Sequence, residues 1–171
     1  YRVTKKEGRF SKEDVSLDET VLASGRFNGN DVDLNRNFDC KWKSTSMWRK
    51  RVVSGGTSSF SEPEAKVIRN FMLTHRPAAA IFWHSKSNAV YASKCDGAIL
   101  SETLSIMNLY SIASGYRAVK TFDAYETTGA ADDWLASINI PAITVELSTH
   151  EDVEWEKNLR GIQAVLEHYK K

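Results

Sequence analysis

The sequence predicts an α/β fold, a β-sheet covered by helices on both faces, and three observations carry that prediction. Short apolar runs of strand length alternate along the chain with longer segments of helical period. The run at 78–83 is continuous in apolar character rather than alternating, as in strands buried on both faces, and the run at 142–147 is β-branched and apolar around one carboxylate. Helix boundaries between them are marked by Ser61-Glu62-Pro63-Glu64 at one start and by Gly115 at one end.

A chain of 171 residues, 42% hydrophobic and 26% charged, is the size and composition of one globular domain. The formal net charge of +1, with signs interspersed, leaves no electrostatic footprint for nucleic acid or an anionic membrane. No run of about 18 apolar residues is present to span a bilayer. Tyr1-Arg2-Val3-Thr4-Lys5-Lys6 has no signal-peptide core behind it, so a soluble chain is expected, and it begins in mid-phrase without an initiator Met.

Residues 1–30 are polar, with the charged stretch Lys12-Glu13-Asp14 and the turn pair Asn28-Gly29, and are expected to be mostly loop. From 44 to 61, repeated Ser, Thr and Gly predict one long surface loop, a length often functional in compact domains. A helix is then expected: Ser61 can cap it, Glu64 can reciprocate three residues later, and Pro63 is tolerated because first-turn amides lack helical partners. Ile68, Phe71 and Met72 share one face of it, and Pro77 ends it after His75-Arg76. The strand at 78–83 follows, with His84 at its C-terminal end. A second strand is expected at 89–92, a helix from Leu100 through Leu104, Met107 and Ile112 to Gly115, and a short helix through 133–136. After the strand at 142–147 the chain closes with an amphipathic helix over 153–169, on which Trp155, Leu159, Ile162, Leu166 and Tyr169 share a face.

Asp31-Val32-Asp33-Leu34-Asn35-Arg36-Asn37-Phe38 crowds polar and charged groups around apolar ones. A charge-rich strand end gives that composition too, but an Asn beside an Arg also offers donors suited to bidentate recognition of a carboxylate. His84, at the mouth of a buried strand, sits where open α/β sheets bind ligands, and its bland reading is a hydrogen-bonded structural histidine. An ionised Glu146 inside Ile-Thr-Val-Glu-Leu is costly unless paired, bound to a metal or poised by a raised pKa. A structural ion pair with one of the 23 Lys and Arg residues is its other reading. Tyr125 opens a segment of Gly and small residues that reads as a mobile loop entering a helix, though a lone tyrosine is more often packing. Cys40 and Cys95 are one disulfide or two buried thiols.

Taken in order, these segments resemble the zinc metallocarboxypeptidase family of the pancreatic A and B enzymes and their bacterial relatives. The family's phrase around Asn-Arg-Asn-Phe stands here at 31–38, its Ser-Glu-Pro-Glu phrase at 61–64 and its strand ending in His-Ser as Trp83-His84-Ser85. Its Tyr-to-Asp-Trp loop stands at 125–134 and its Thr-x-Glu-Leu strand at 144–147. The resemblance implies a mixed parallel and antiparallel twisted sheet, with 1–171 as the C-terminal part of a single catalytic domain whose N-terminal part is missing. It also implies zinc-dependent hydrolysis of the C-terminal peptide bond of peptides.

By the same resemblance His84 is a zinc ligand, bound as a neutral imidazole, and Glu146 is the general base that later returns a proton to the leaving amine. Arg26, nine residues before Asn35, polarises the scissile carbonyl and stabilises its oxyanion, with Arg2 as a lesser claimant. Asn35 and Arg36 clamp the terminal carboxylate, Tyr125 closes over it, and Asp33 orients a metal-binding histidine. Asp132 lines the specificity pocket, where an acid favours a Lys or Arg side chain. First-turn acids are favoured at any helix start, which also accounts for Asp132 and Asp133.

The family draws its first two zinc ligands from an upstream His-x-x-Glu element. None of His75, His84, His150 and His168 has a Glu three residues on, so one ligand is present where a catalytic zinc needs three. Either the rest of the domain and its ligands lie before Tyr1, or the protein binds carboxylate-ended peptides through Asn35, Arg36 and Arg26 without cleaving them. Bacterial relatives add a cell-wall alternative: diaminopimelate offers an amine and a carboxylate to Asp132 and Arg36. The expected partner is a peptide or peptidoglycan peptide, and the expected compartment is secreted or periplasmic rather than cytoplasmic.

Overall fold

A computed structural model of the chain describes residues 25–48 and 50–170. Arg2 and the expectations for 1–24 lie outside the described residues. Strands β1 (Thr45–Trp48) and β2 (Arg51–Ser54) are followed by helix α1 (Pro63–His75), β3 (Ala80–Ser85) and β4 (Ala89–Ala92). Then come α2 (Ser101–Ser114), β5 (Arg117–Val119), α3 (Ala131–Ser137), β6 (Ala142–Leu147) and α4 (Trp155–Tyr169). A 3-10 turn at Leu34–Arg36 precedes them all.

The main sheet has the order β3-β6-β4-β5. β3 and β6 are parallel, β6 and β4 antiparallel, β4 and β5 parallel, so the sheet is mixed as the family resemblance implied. Side chains alternate across it. Ala80, Phe82 and Ala142 pack on one face with Ala65 and Met72 of α1 and with Trp134 and Leu135 of α3. Ile81, Val90, Ile143 and Val145 pack on the other with Ile106, Met107 and Tyr110 of α2 and with Ile162 and Val165 of α4. Helices therefore cover both faces. α2 and α4 meet closely because Gly161 has no side chain: a Cβ there would lie 2.5 Å from the Tyr110 ring.

Boundaries marked by backbone chemistry are where the sequence put them. α1 ends at His75 with Arg76 in the left-handed region, just before Pro77, and α2 ends on Gly115 at φ 83°. β4 and β6 occupy the expected residues.

Several expectations are corrected. The stretch 44–61 is not all loop: β1 and β2 form an antiparallel hairpin from Thr45↔Ser54 to Trp48↔Arg51. Its polar residues hid a period of two, in which Ser46 and Val53 face each other and are buried. Ser61 does not cap α1. The cap position is Glu62, without a side-chain cap bond, and Ser61 Oγ donates instead to Glu62 Oε1 at 2.7 Å. The apolar faces also sit differently: Ile68, Phe71, Ile112, Trp155 and Leu166 are exposed, while α4 buries Asn158, Gly161 and Val165. β3, expected to be buried on both faces, is half-buried, and among the described residues it is an edge strand with Trp83 44% exposed. β5, three residues without an apolar run, was not anticipated.

Cys40 and Cys95 are disulfide-bonded, with Cα atoms 5.6 Å apart. The bond joins the segment after the 3-10 turn to the segment after β4.

Candidate functional site

The parallel register of β3 and β6 sets His84 directly beside Glu146 at the strands' C-terminal ends. His84 Nδ1 stands 3.9 Å from Glu146 Oε1. Burial pushes both groups toward their neutral forms. For His84, burial lowers the pKa and Arg26 and Arg36 add to that against the opposing pull of Asp132 and Asp33. For Glu146, burial alone raises it. A neutral imidazole is the form that ligates a metal, and a carboxyl poised to exchange a proton is what a general base requires.

These two side chains open into a cavity of about 750 Å³ that also takes in Arg26, Asp33, Asn35, Arg36, Tyr125 and Asp132. All eight site residues named from the sequence thus line one cavity. Asp33 starts the 3-10 turn: its Oδ1 accepts the Asn35 N–H at 3.1 Å and its Oδ2 accepts Arg26 Nε at 2.6 Å. No histidine hydrogen-bonds to Asp33 among the described residues, so the imidazole it was expected to orient is not seen among them. Arg26 also lies 4.7 Å over the Trp48 ring, a contact that fixes the guanidinium plane.

Arg36 is the most buried cation of the site, 1% exposed. Its Nη1 donates to Asn35 O and its Nη2 reaches Met47 O at 3.4 Å, but its Nε is buried with no partner. A buried guanidinium with an unpaired donor carries a desolvation cost, and Arg36 lines the cavity wall. Asn35 Oδ1 accepts the Ala131 N–H at 3.1 Å, so the amide NH₂ is the group it can offer a ligand.

Tyr125 sits in the loop before α3, packed edge-on against Phe122 at 4.9 Å, and Phe122 against Tyr91 at 5.5 Å. Asp132 and Asp133 occupy the first turn of α3. Thr144 Oγ1 donates to Asp132 Oδ2 at 2.7 Å, and the Lys94 N–H donates to Asp133 Oδ1 at 2.8 Å. Burial, then the neighbouring Asp132 charge, raises Asp133 to about 7. The cavity also holds Lys41, Lys94 and Lys120. Nothing in the local sequence distinguishes these lysines, Trp48 or Phe122 from solvated or packing residues; the tandem acids are the one signal for Asp133.

As to metal, no group of three or more potential ligands exists among the described residues. His84 fits as one corner of a zinc site, with neutral chemistry and an open cavity before it, but the described residues do not complete one.

The chain spans about half the length of the curated relatives it matches. Murein peptide amidase A of Escherichia coli (strain K12) is 26% identical over 133 residues, 71% of this chain and 50% of that protein. Carboxypeptidase O of Bos taurus is 29% identical over 132 residues, 68% of this chain and 35% of that protein. Among solved structures, murein-tripeptide amidase from Escherichia coli O157 aligns with a TM-score of 0.61 at 24% identity, over 82% of this chain and 59% of that one. Carboxypeptidase A from Helicoverpa armigera aligns with a TM-score of 0.61 at 24% identity, over 86% and 46%. At that identity the two structures show the shared fold. The family model for zinc carboxypeptidases, Peptidase_M14, matches residues 4–165, nearly the whole chain, and the chain belongs to that family of peptidases.

Proposed function

We propose that the chain is the C-terminal part of a single zinc metallocarboxypeptidase domain, which hydrolyses the C-terminal peptide bond of peptides and prefers a basic last residue. The observation that carries this reading is that the Arg36 guanidinium and Asn35 line the same cavity as His84 and Glu146. A planar fork of this kind suits the substrate's terminal carboxylate, and holding that carboxylate decides which bond reaches His84 and Glu146. Tyr125 folds over the bound end. Glu146, whose raised pKa makes its carboxylate a stronger base, takes a proton from the attacking water and delivers it to the leaving amine. Arg26 stabilises negative charge on the scissile oxygen. His84, with ligands outside the described residues, would hold zinc, which when bound would supply Lewis acidity for activating water. Asp132, held by Thr144, faces the side chain of the departing residue. The Cys40–Cys95 disulfide supports a secreted or periplasmic setting.

One observation favours a second reading. Lys41, Lys94 and Lys120 stand in the same cavity as Asp132 and Asp133, so the pocket can meet a side chain carrying both an amine and a carboxylate. That is the chemistry of a cell-wall peptide bearing diaminopimelate.

The test is a turnover assay of the zinc-loaded protein on Lys-ending, Leu-ending, C-terminally amidated and muropeptide substrates. Free-acid substrates should be cleaved and amidated ones spared, and Glu146→Gln should lower kcat by about 10³-fold while substrate still binds. Asp132→Ala should erase the preference for Lys over Leu. An active Glu146→Gln protein, or one that binds no zinc and only captures carboxylate-ended peptides, would sink the peptidase reading. Faster cleavage of the muropeptide would select the second substrate class.

A further inference from the structure

Glu62, in the Ser-Glu-Pro-Glu phrase, is 5% exposed and does something other than start a helix. Its Oε2 accepts hydrogen bonds from Asn28 Nδ2 and Asn30 Nδ2, each at 2.7 Å, and its Oε1 accepts Ser61 Oγ at 2.7 Å. Asn28 is held from its other end as well, since its Oδ1 accepts the N–H groups of Asn30 and Val32, each at 3.0 Å. The Asn28 N–H closes the same turn on Val32 O at 3.0 Å. Phe27 and Asp33 then pair across the base of the turn, which leaves Arg26 on Asp33 at the cavity. The Glu62 N–H donates to Asn37 Oδ1 at 3.0 Å, and fully buried Asn37 follows Arg36 directly.

We propose that Glu62 is a positioning residue for Arg26: its carboxylate clamps Asn28 and Asn30, fixing the turn from which Arg26 reaches the cavity in register with Asn35 and Arg36. The inference rests on the proposed role of Arg26. The hydrogen bonds from Asn28, then Asn30 and Ser61, hold the carboxyl below the usual glutamate range, so the acceptor is an anion. A charged acceptor shared by two amides gives the turn one geometry, and a guanidinium displaced by an ångström loses most of its hold on a developing oxyanion.

Four variants of the zinc-loaded protein test this by steady-state kinetics with a melting curve for each: Arg26→Ala, Glu62→Ala, Glu62→Gln and the double variant. Glu62→Ala should lower kcat by about 10-fold or more with KM within about twofold, because Arg26 acts on the transition state and not on the terminal carboxylate. Glu62→Gln, which keeps an acceptor oxygen, should recover most of that loss. In the Arg26→Ala background, Glu62→Ala should cost no more than about twofold. If Glu62→Ala does not fold, Asn30→Ala at the exposed end of the clamp takes its place, with a smaller fall in kcat that also vanishes without Arg26. A normal kcat in Arg26→Ala would remove the role of Arg26 itself. Loss in Arg26→Ala together with an undiminished kcat in the Glu62 or Asn30 variants, or an equal penalty with and without Arg26, would overturn the assignment of Glu62.

Discussion

Glu154 and Arg36 are both largely removed from water, one fully partnered and one not. Glu154 takes hydrogen bonds from Lys157 Nζ at 2.6 Å, from the Ser148 N–H and hydroxyl, and from Tyr116 OH at 3.0 Å. Burial works against its charge, yet these donors together outweigh it and hold the carboxyl down at about 2. The folded pKa lies below the ordinary value, so the stabilisation is present above about pH 4.5 and is lost as pH falls toward 2. Glu154→Gln is therefore expected to lose about 2 kcal/mol at pH 7 in urea titration, and at pH 3 the gap to the parent should shrink by half or more. A gap of equal size at both pH values would contradict the assignment. Arg36 lines the cavity and Glu154 does not, which is why Arg36 reads as a ligand site and Glu154 as structure. The chemistry-bearing residues of the site were legible in the sequence because a carboxylate in an apolar strand or an Asn-Arg pair is conspicuous by type alone. Glu154 and Glu62 were not, since their meaning lies in who donates to them across 34 residues of chain in one case and 38 in the other.

Among the elements, the loop before α3 is where local backbone and site are joined most tightly. Gly129, at φ 64°, accepts the Phe38 N–H on its carbonyl and donates its own N–H to Cys40 O at 2.7 Å. A Cβ there would lie 2.2 Å from Arg36 O, so only glycine lets the Tyr125 loop lie against the backbone of the proposed carboxylate clamp. Gly129→Ala should shift that backbone, raising KM for free-acid peptides by about tenfold, or about 1.4 kcal/mol of binding, while kcat at saturation changes less. An unchanged KM would mean that the clamp tolerates the displacement. Element boundaries at Pro77 and Gly115 were legible because those residues act on their own backbone. The faces that α1, α2 and α4 bury were not, because an apolar stripe turns inward only where another element covers it, and Phe71 and Ile112 stay exposed among the described residues.

For the whole molecule, the open side of the sheet matters most. β3 has the composition of an interior strand, yet among the described residues it lies at the sheet edge with Trp83 exposed, and Val67 and Phe71 of α1 are exposed too. A bare apolar edge is a template for pairing. The 171-residue chain on its own is accordingly expected to self-associate as its concentration rises, measured by sedimentation velocity. A monodisperse monomer throughout would show that residues outside the described ones cover the edge. The sequence by itself determined the family, the α/β class and the strands that carry His84 and Glu146, and it named the residues proposed for the site, because each is written in residue type, period or order. Only the tertiary structure decided that these residues share one cavity, that Cys40 and Cys95 are bonded, that Arg36 is buried with a donor to spare and that Glu62 holds the Arg26 turn. Those facts depend on distances between segments far apart in the chain, which no local pattern encodes.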